Sequence, residues 1–257
     1  MFPAGGLQGT SFALHRCVNA SLNLRISGAG VRRFYACLIL GDALFALMTL
    51  LSDLKHPLAT HYLASHFDLK REGNVAVWYS SAVLLLASAA ALAAGQVRYP
   101  GARENRRRFV WLFVSLFFLA LSIDETAQLH EIAGVLFTKH AGTVPWLTEG
   151  GRPVFAWMLV LLPLIVLFMA LVLLATRWFL RLHPRSRRLM LGGILCWVGV
   201  LSAELVQAQL VRWSIDRSFQ GALEEGLEIA GATLFLFSLI EFLRDERMRP
   251  TVAASTS

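Results

Sequence analysis

Long apolar stretches separated by short polar segments are the dominant pattern of this chain. A helix that crosses a lipid bilayer needs about 20 mostly apolar residues, and six stretches approach or exceed that length. No segment between them is long enough to form a soluble domain. We therefore predict an all-α fold, a polytopic membrane helix bundle with six transmembrane helices. The predicted spans are residues 34–51, 75–96, 109–137, 154–180, 190–211 and 223–243.

The distribution of positive charge predicts an orientation for these spans. Most of the 24 Lys and Arg residues lie in groups at residues 16–33, 98–108, 177–188 and 244–249, which the spans place on one side of the membrane. Because cytoplasmic loops carry an excess of Lys and Arg, we predict that both termini are cytoplasmic. The predicted organisation is a cytoplasmic leader (1–33), a six-helix transmembrane domain (34–243) and a cytoplasmic tail (244–257).

Composition agrees with this assignment. Hydrophobic residues make up 56% of the 257 residues, and charged residues 16%. The net charge of +7 follows from the cytoplasmic basic groups, which face anionic lipid. These basic groups are divided among short loops, with no fold that would present them to nucleic acid. The lipid bilayer is therefore the predicted partner, and nucleic acid is not. The 3 cysteines show no zinc-ligand spacing and are interpreted as packing residues.

Acidic residues within the apolar stretches are the main exception to the pattern. Residues 121–131, LSIDETAQLHE, lie in the second half of the third predicted span and carry three acids and a histidine. An ionisable group in hydrocarbon costs roughly 2.5–3.5 kcal/mol on insertion scales, so such residues usually have a function and a partner. Counted along the helices from the cytoplasmic arginines, Asp124, Glu204 and Glu228 lie at one depth, near the extracytoplasmic face.

Carboxylates at one depth on different helices predict a shared acidic pocket. Several acids cannot all stay ionised close together in a low dielectric, so they either bind cations or hold protons. Carboxylates with an imidazole are ligands for divalent ions, and a divalent metal (Fe, Mn, Zn or Mg) is the predicted cofactor. The predicted metal ligands are Asp124, His130, Glu131, Glu204 and Glu228; the candidate catalytic, proton-transferring residues are Glu125 and Glu225; and the predicted pocket mouth contains Glu72, Ser81, Gln128, Gln207 and Glu224.

A continuous third helix would fix the geometry of this motif. At 100° per residue, Asp124, Gln128 and Glu131 share one face, while Glu125 and His130 lie on opposite flanks of it. His130 would then reach the centre only by leaning from one side.

Plainer interpretations of several residues stay open. The outermost acids, Glu131 among them, are equally explained as solvated groups in the headgroup region, and Ser81 as a serine that packs between helices. Asp42 lies deeper in the first span, where it either forms a hydrogen bond to another helix or belongs to a proton path.

The segments REGNVAVWYSS (71–81) and SIDETAQLHE (122–131) resemble a pattern of uncharacterised multi-pass proteins of bacterial inner membranes. The resemblance implies a bacterial inner-membrane location. It also supports a functional group that consists of Glu72, Ser81, Asp124, Glu125, His130 and Glu131. It implies no activity.

Three functions are compatible with the sequence. The first is a metal-dependent membrane enzyme that acts on a lipid or small apolar substrate. The second is a cation- or proton-coupled transporter that uses the same acids. The third is a non-catalytic membrane assembly or accessory protein, in which the acids are structural hydrogen-bonding groups.

Overall fold

A computed structural model describes residues 28–54, 66–71, 73–97, 104–141, 157–212 and 220–248. The regular structure of these residues is entirely helical. Six of the helices are long and apolar enough to cross a membrane, which confirms the predicted fold class. The predicted leader up to residue 27 and the tail beyond residue 248 lie outside the described residues. The helices are α1 (Gly28–Asp53), α2 (Val75–Gln96), α3 (Glu104–Ala127), α4 (Leu129–Ala141), α5 (Trp157–Trp178), α6 (Pro184–Arg212) and α7 (Gln220–Met248).

By the distribution of internal contacts, the chain divides into a unit at Met1–Ala36 and a unit at Cys37–Ser257. The described part of the first unit is the beginning of α1. The second unit holds the remaining helices and every residue discussed below.

Small side chains let α2 approach its neighbours closely. Ala87, Ala91 and Ala94 on α2 are fully buried, and α2 packs against α3 and α7. Between α2 and α3, Ser88 donates a hydrogen bond to the Ser115 carbonyl at 2.8 Å. Association of membrane helices depends on such close packing and interhelical hydrogen bonds, because lipid is as apolar as the helix surface.

Aromatic side chains fill the space where α3, α5, α6 and α7 meet. The rings of Phe117 and Phe168 are stacked with centroids 3.8 Å apart. Phe168 is fully buried and also lies edge-on to Phe118 and Phe235. This cluster holds α5 against the bundle, although Pro163 lies within that helix.

Asp42 on α1 forms a hydrogen bond to another helix. The Tyr79 hydroxyl of α2 lies 2.8 Å from Asp42 Oδ1 and 2.9 Å from the Leu38 carbonyl oxygen. This contact pairs a membrane-level carboxyl group of α1 with a hydroxyl of α2, which is the first of the two interpretations given for Asp42.

The predicted third span, 109–137, is not one helix. It is divided at Gln128, whose φ of 54° is the only positive value among the described residues other than glycine. Residues other than glycine rarely adopt this left-handed backbone conformation, so it requires stabilisation by the surroundings. The wheel geometry predicted for Asp124, Glu131 and His130 is therefore wrong, because α4 leaves Gln128 in a new direction.

Candidate functional site

A cavity of about 660 Å³ lies between α3, α4, α5, α6, α7 and the segment that precedes α2. Its walls differ in character. The polar wall carries acidic side chains of α3, α4 and α7, and the opposite wall is apolar and comes from α5 and α6. Leu164 of α5 lines the cavity and is 44% exposed, so part of the apolar wall is accessible. Volumes of this order hold a small molecule or a lipid headgroup.

The polar wall collects the acids that the sequence places near the outer ends of the spans. Glu224, Glu225 and Glu228 come from the first turns of α7 and are partly buried. Glu125 of α3 is close enough to interact electrostatically with Glu225 and Glu228. The Glu125 side chain also forms a hydrogen bond with Ser80 of α2, which is buried.

The break at Gln128 brings His130 directly onto Asp124. Asp124 Oδ1 accepts a hydrogen bond from the His130 backbone N–H at 2.7 Å. Asp124 Oδ2 lies 2.8 Å from Nδ1 of the same imidazole. The first contact satisfies a backbone donor in the first turn of α4, where intrahelical partners are missing. The second orients the ring and leaves Nε2 as the nitrogen that Asp124 does not engage.

The surroundings of His130 favour its charged form. Partial burial of the ring opposes the imidazolium. The hydrogen bond with Asp124 and the nearby carboxylates of Asp124, Glu131 and Glu125 outweigh this, so the pKa of His130 is raised above its usual value. The imidazole of His130 also packs edge-to-face with the indole of Trp157 of α5, with ring centroids 5.3 Å apart. His130 is therefore held on both sides at the cavity wall.

Most predicted site residues meet in this cavity. Those that line it are Asp124, Glu125, Gln128, His130, Glu131, Glu224, Glu225 and Glu228. Glu131 is exposed on α4. Glu72 and the side chains of Glu204 and Gln207 lie outside the described residues.

Ser81 is not at the cavity mouth. Its hydroxyl donates to the Ser122 carbonyl at 2.8 Å, and the Ser122 hydroxyl donates back to the Ser81 carbonyl at 2.9 Å. This reciprocal pair joins α2 to α3, as expected of a packing serine. The neighbouring Ser80 instead faces the cavity acid Glu125.

The cavity contains charged and aromatic residues that are absent from the predicted site. Lys70 and Arg71, which precede α2, line the cavity but are not among the predicted site residues. Trp157 and Trp197 line the cavity from α5 and α6. No spacing rule links Lys70 to α7, because this contact depends on how the segment before α2 folds over the bundle.

Within the described ranges, no three His, Cys, Asp or Glu side chains converge in an arrangement that could hold a metal ion. The side chain of Glu204, one member of the predicted ligand set, lies outside the described part of the chain.

One family model matches most of the helix bundle. The family model of a domain of unknown function, DUF8692, matches residues 36–242. The chain belongs to the DUF8692 family. No curated protein and no solved structure matches it. The match runs from α1 into α7 and so includes every described residue of the cavity.

Proposed function

We propose that this DUF8692 protein is a membrane-embedded enzyme that takes a lipid or another amphipathic molecule from the bilayer and acts on it by acid–base chemistry. The observation that carries the proposal is the Asp124–His130 pair on the wall of a cavity that is also lined by apolar side chains of two candidate membrane spans, α5 and α6. In many enzymes a carboxylate on one imidazole nitrogen holds the ring so that the other nitrogen can transfer a proton.

The roles follow from position. His130 Nε2 is the proposed proton acceptor, and Asp124 positions the ring and stabilises the imidazolium. Glu125 and Glu225 on the polar wall are the proposed proton-transfer groups. The apolar wall, with Leu161 and Met169, would hold the hydrocarbon part of the substrate. The location in a bacterial inner membrane, with the cavity on the extracytoplasmic side, belongs to the same proposal and rests on the arginine distribution and the sequence resemblance.

Metal assistance is compatible with this arrangement. An imidazole that binds a metal usually gives its other N–H to a carboxylate, which is the relation between His130 and Asp124. We therefore retain a divalent ion as a proposed cofactor, with Asp124 in an orienting role. Elemental analysis of protein purified without chelators tests it: an ion present at one per chain supports the cofactor, and its absence removes it while leaving the acid–base proposal intact.

The decisive experiment measures turnover in a native-like bilayer. Purified protein is reconstituted in liposomes of bacterial lipid extract, and mass spectrometry follows each lipid class over time. We expect one class to be converted, and His130→Gln to slow the conversion by about 10²–10⁴-fold, which is the usual contribution of a general base. His140→Gln is the matched control, because His140 is exposed at the far end of α4 and its imidazole bonds to the Leu136 carbonyl of the same helix. An unchanged rate in His130→Gln would exclude the proposal.

Transport is the second candidate, and one observation favours it. Carboxylates from α3 and α7 interact on the polar wall of the cavity, and Glu225 interacts with the ammonium of Lys70. Such groups can exchange a proton for a cation. A flux driven by pH or cations in sealed liposomes, lost in Glu228→Gln, with no lipid converted, would establish transport instead. Variants that lose only stability would leave the structural, accessory role.

A further inference from the structure

Lys70 occupies the acidic side of the cavity with its own ammonium group. A Cβ atom built at Gly221 would lie 2.6 Å from Lys70 Cδ, so the aliphatic stem of Lys70 rests on the first turn of α7. Lys70 lines the cavity and interacts electrostatically with Glu225. A primary ammonium on a hydrocarbon stem is thus already placed beside the acids of α7.

The segment that carries Lys70 is fixed by hydrogen bonds at both ends. Thr49 Oγ1 of α1 accepts the Leu69 N–H at 2.9 Å. Asn74 Nδ2 donates to the Asp68 carbonyl at 2.7 Å, and Asn74 Oδ1 caps the start of α2 by accepting from Val77 N. Because the backbone is held in this way, the place of Lys70 at the cavity is set by the fold.

The surroundings of Lys70 only partly stabilise its charged ammonium form. Desolvation lowers the pKa of Lys70, while the charge of Glu225 opposes the decrease and that of Arg71 adds to it. Lys70 is also exposed at the mouth and can move outward on its flexible stem. A second ammonium that brings its own apolar group could therefore replace it beside Glu225.

The remaining lining suits such a molecule. Trp157 and Trp197 border the cavity, and indole faces attract ammonium groups. Arg71 at the mouth is half-exposed and only loosely paired with Asp68, at 3.9 Å, so its guanidinium can meet a phosphate. Acyl chains would leave through the apolar wall at Leu164, which is 44% exposed.

We infer that the cavity binds the headgroup of an amine-bearing phospholipid, whose ammonium displaces that of Lys70 beside Glu225 and whose phosphate faces Arg71. Lys70 then serves as a resident counter-ion that keeps the acids paired when no lipid is bound. The inference deepens the proposed function by naming its substrate class, and it rests on that proposal only for the use of the same cavity.

Binding is tested by native mass spectrometry of the detergent-solubilised full chain. The probes are a short-chain phosphatidylethanolamine, the same lipid with its amine acetylated, the phosphatidylglycerol with equal chains, and free ethanolamine as competitor. We expect the amine lipid to bind at least about 10-fold more tightly than the acetylated lipid and the phosphatidylglycerol, a difference of about 1.4 kcal/mol. Equal binding of the acetylated lipid overturns the inference without any mutation. Displacement by ethanolamine at the same concentration would assign the site to a soluble amine and also overturn it.

Variants test the displacement itself. Lys70→Met should tighten binding of the amine lipid several-fold, because the competing internal cation is gone, whereas Glu225→Gln should weaken it about 10-fold. Lys139→Met is the matched control, because Lys139 is exposed on α4 and does not line the cavity. Weaker binding in Lys70→Met would contradict the displacement.

This outcome is separable from that of the proposed function. Amine-lipid binding without turnover leaves the headgroup inference standing and removes the enzyme, whereas turnover of a lipid without an amine removes only the headgroup inference.

Discussion

Substitutions of Asp124 by alanine and by asparagine distinguish how much each of its two hydrogen bonds contributes to stability. Asp124→Ala removes both the acceptor for the His130 N–H and the partner of the ring. Asp124→Asn keeps an oxygen for the backbone N–H but loses the charge that favours the imidazolium. The two variants should therefore destabilise the protein to different extents, and only one part of the loss should depend on pH.

The magnitudes follow from the kind of contact. Loss of a capping acceptor costs about 0.5–2 kcal/mol, and a hydrogen bond to a charged group contributes about 1.5–3 kcal/mol. The Asp124 and His130 side chains are 21% and 32% exposed, so solvent screening favours the lower end of the second range. We expect about 1.5 kcal/mol for Asp124→Asn and about 2–3 kcal/mol for Asp124→Ala.

The pH dependence has a definite sign. Because the pKa of His130 is raised in the folded protein, its contribution to stability is complete below the ordinary histidine pKa of about 6.5 and is lost as the pH rises through the raised value. The stability difference between wild type and Asp124→Asn should therefore be larger near about pH 5.5 than near about pH 9.

Thermal unfolding in detergent, together with hydrogen exchange at the first turn of α4, measures both effects. His140→Gln provides the reference for a histidine that does not contact Asp124. Equal losses for Asp124→Asn and Asp124→Ala, or a difference that grows with pH, would refute the reasoning.

Two further substitutions test how the walls of the cavity are held in place. Gly231→Ala should destabilise the protein by about 1–3 kcal/mol, because the new Cβ collides with the indole of Trp197. Gly192→Ala is its control and should be nearly neutral in the same unfolding measurement, because its Cβ would lie 3.4 Å from a Leu234 side chain. Phe168→Ala should cost about 3–5 kcal/mol through loss of the buried aromatic cluster. Phe109→Ala should cost far less, because Phe109 is 67% exposed. Similar losses at the two positions would contradict the packing described for α5.

The spans could be predicted from the sequence because bilayer insertion depends on local composition. The transfer free energy of a helix is close to a sum over its own residues, so an apolar block such as residues 75–96 defines a helix without knowledge of its neighbours. The depth of an acid along its helix is also a local quantity, and Asp124 and Glu228 do line the same cavity.

The chemical pairing at the site required the tertiary structure. The left-handed conformation of Gln128 ends α3 and returns His130 to Asp124, and Lys70 reaches Glu225 only because the segment before α2 folds over α7. Such contacts depend on backbone conformation and on atoms far apart along the chain, and hydrophobic periodicity carries no information about either. The sequence by itself therefore determined a six-helix membrane bundle with acids near one end, and the tertiary structure decided which groups those acids contact.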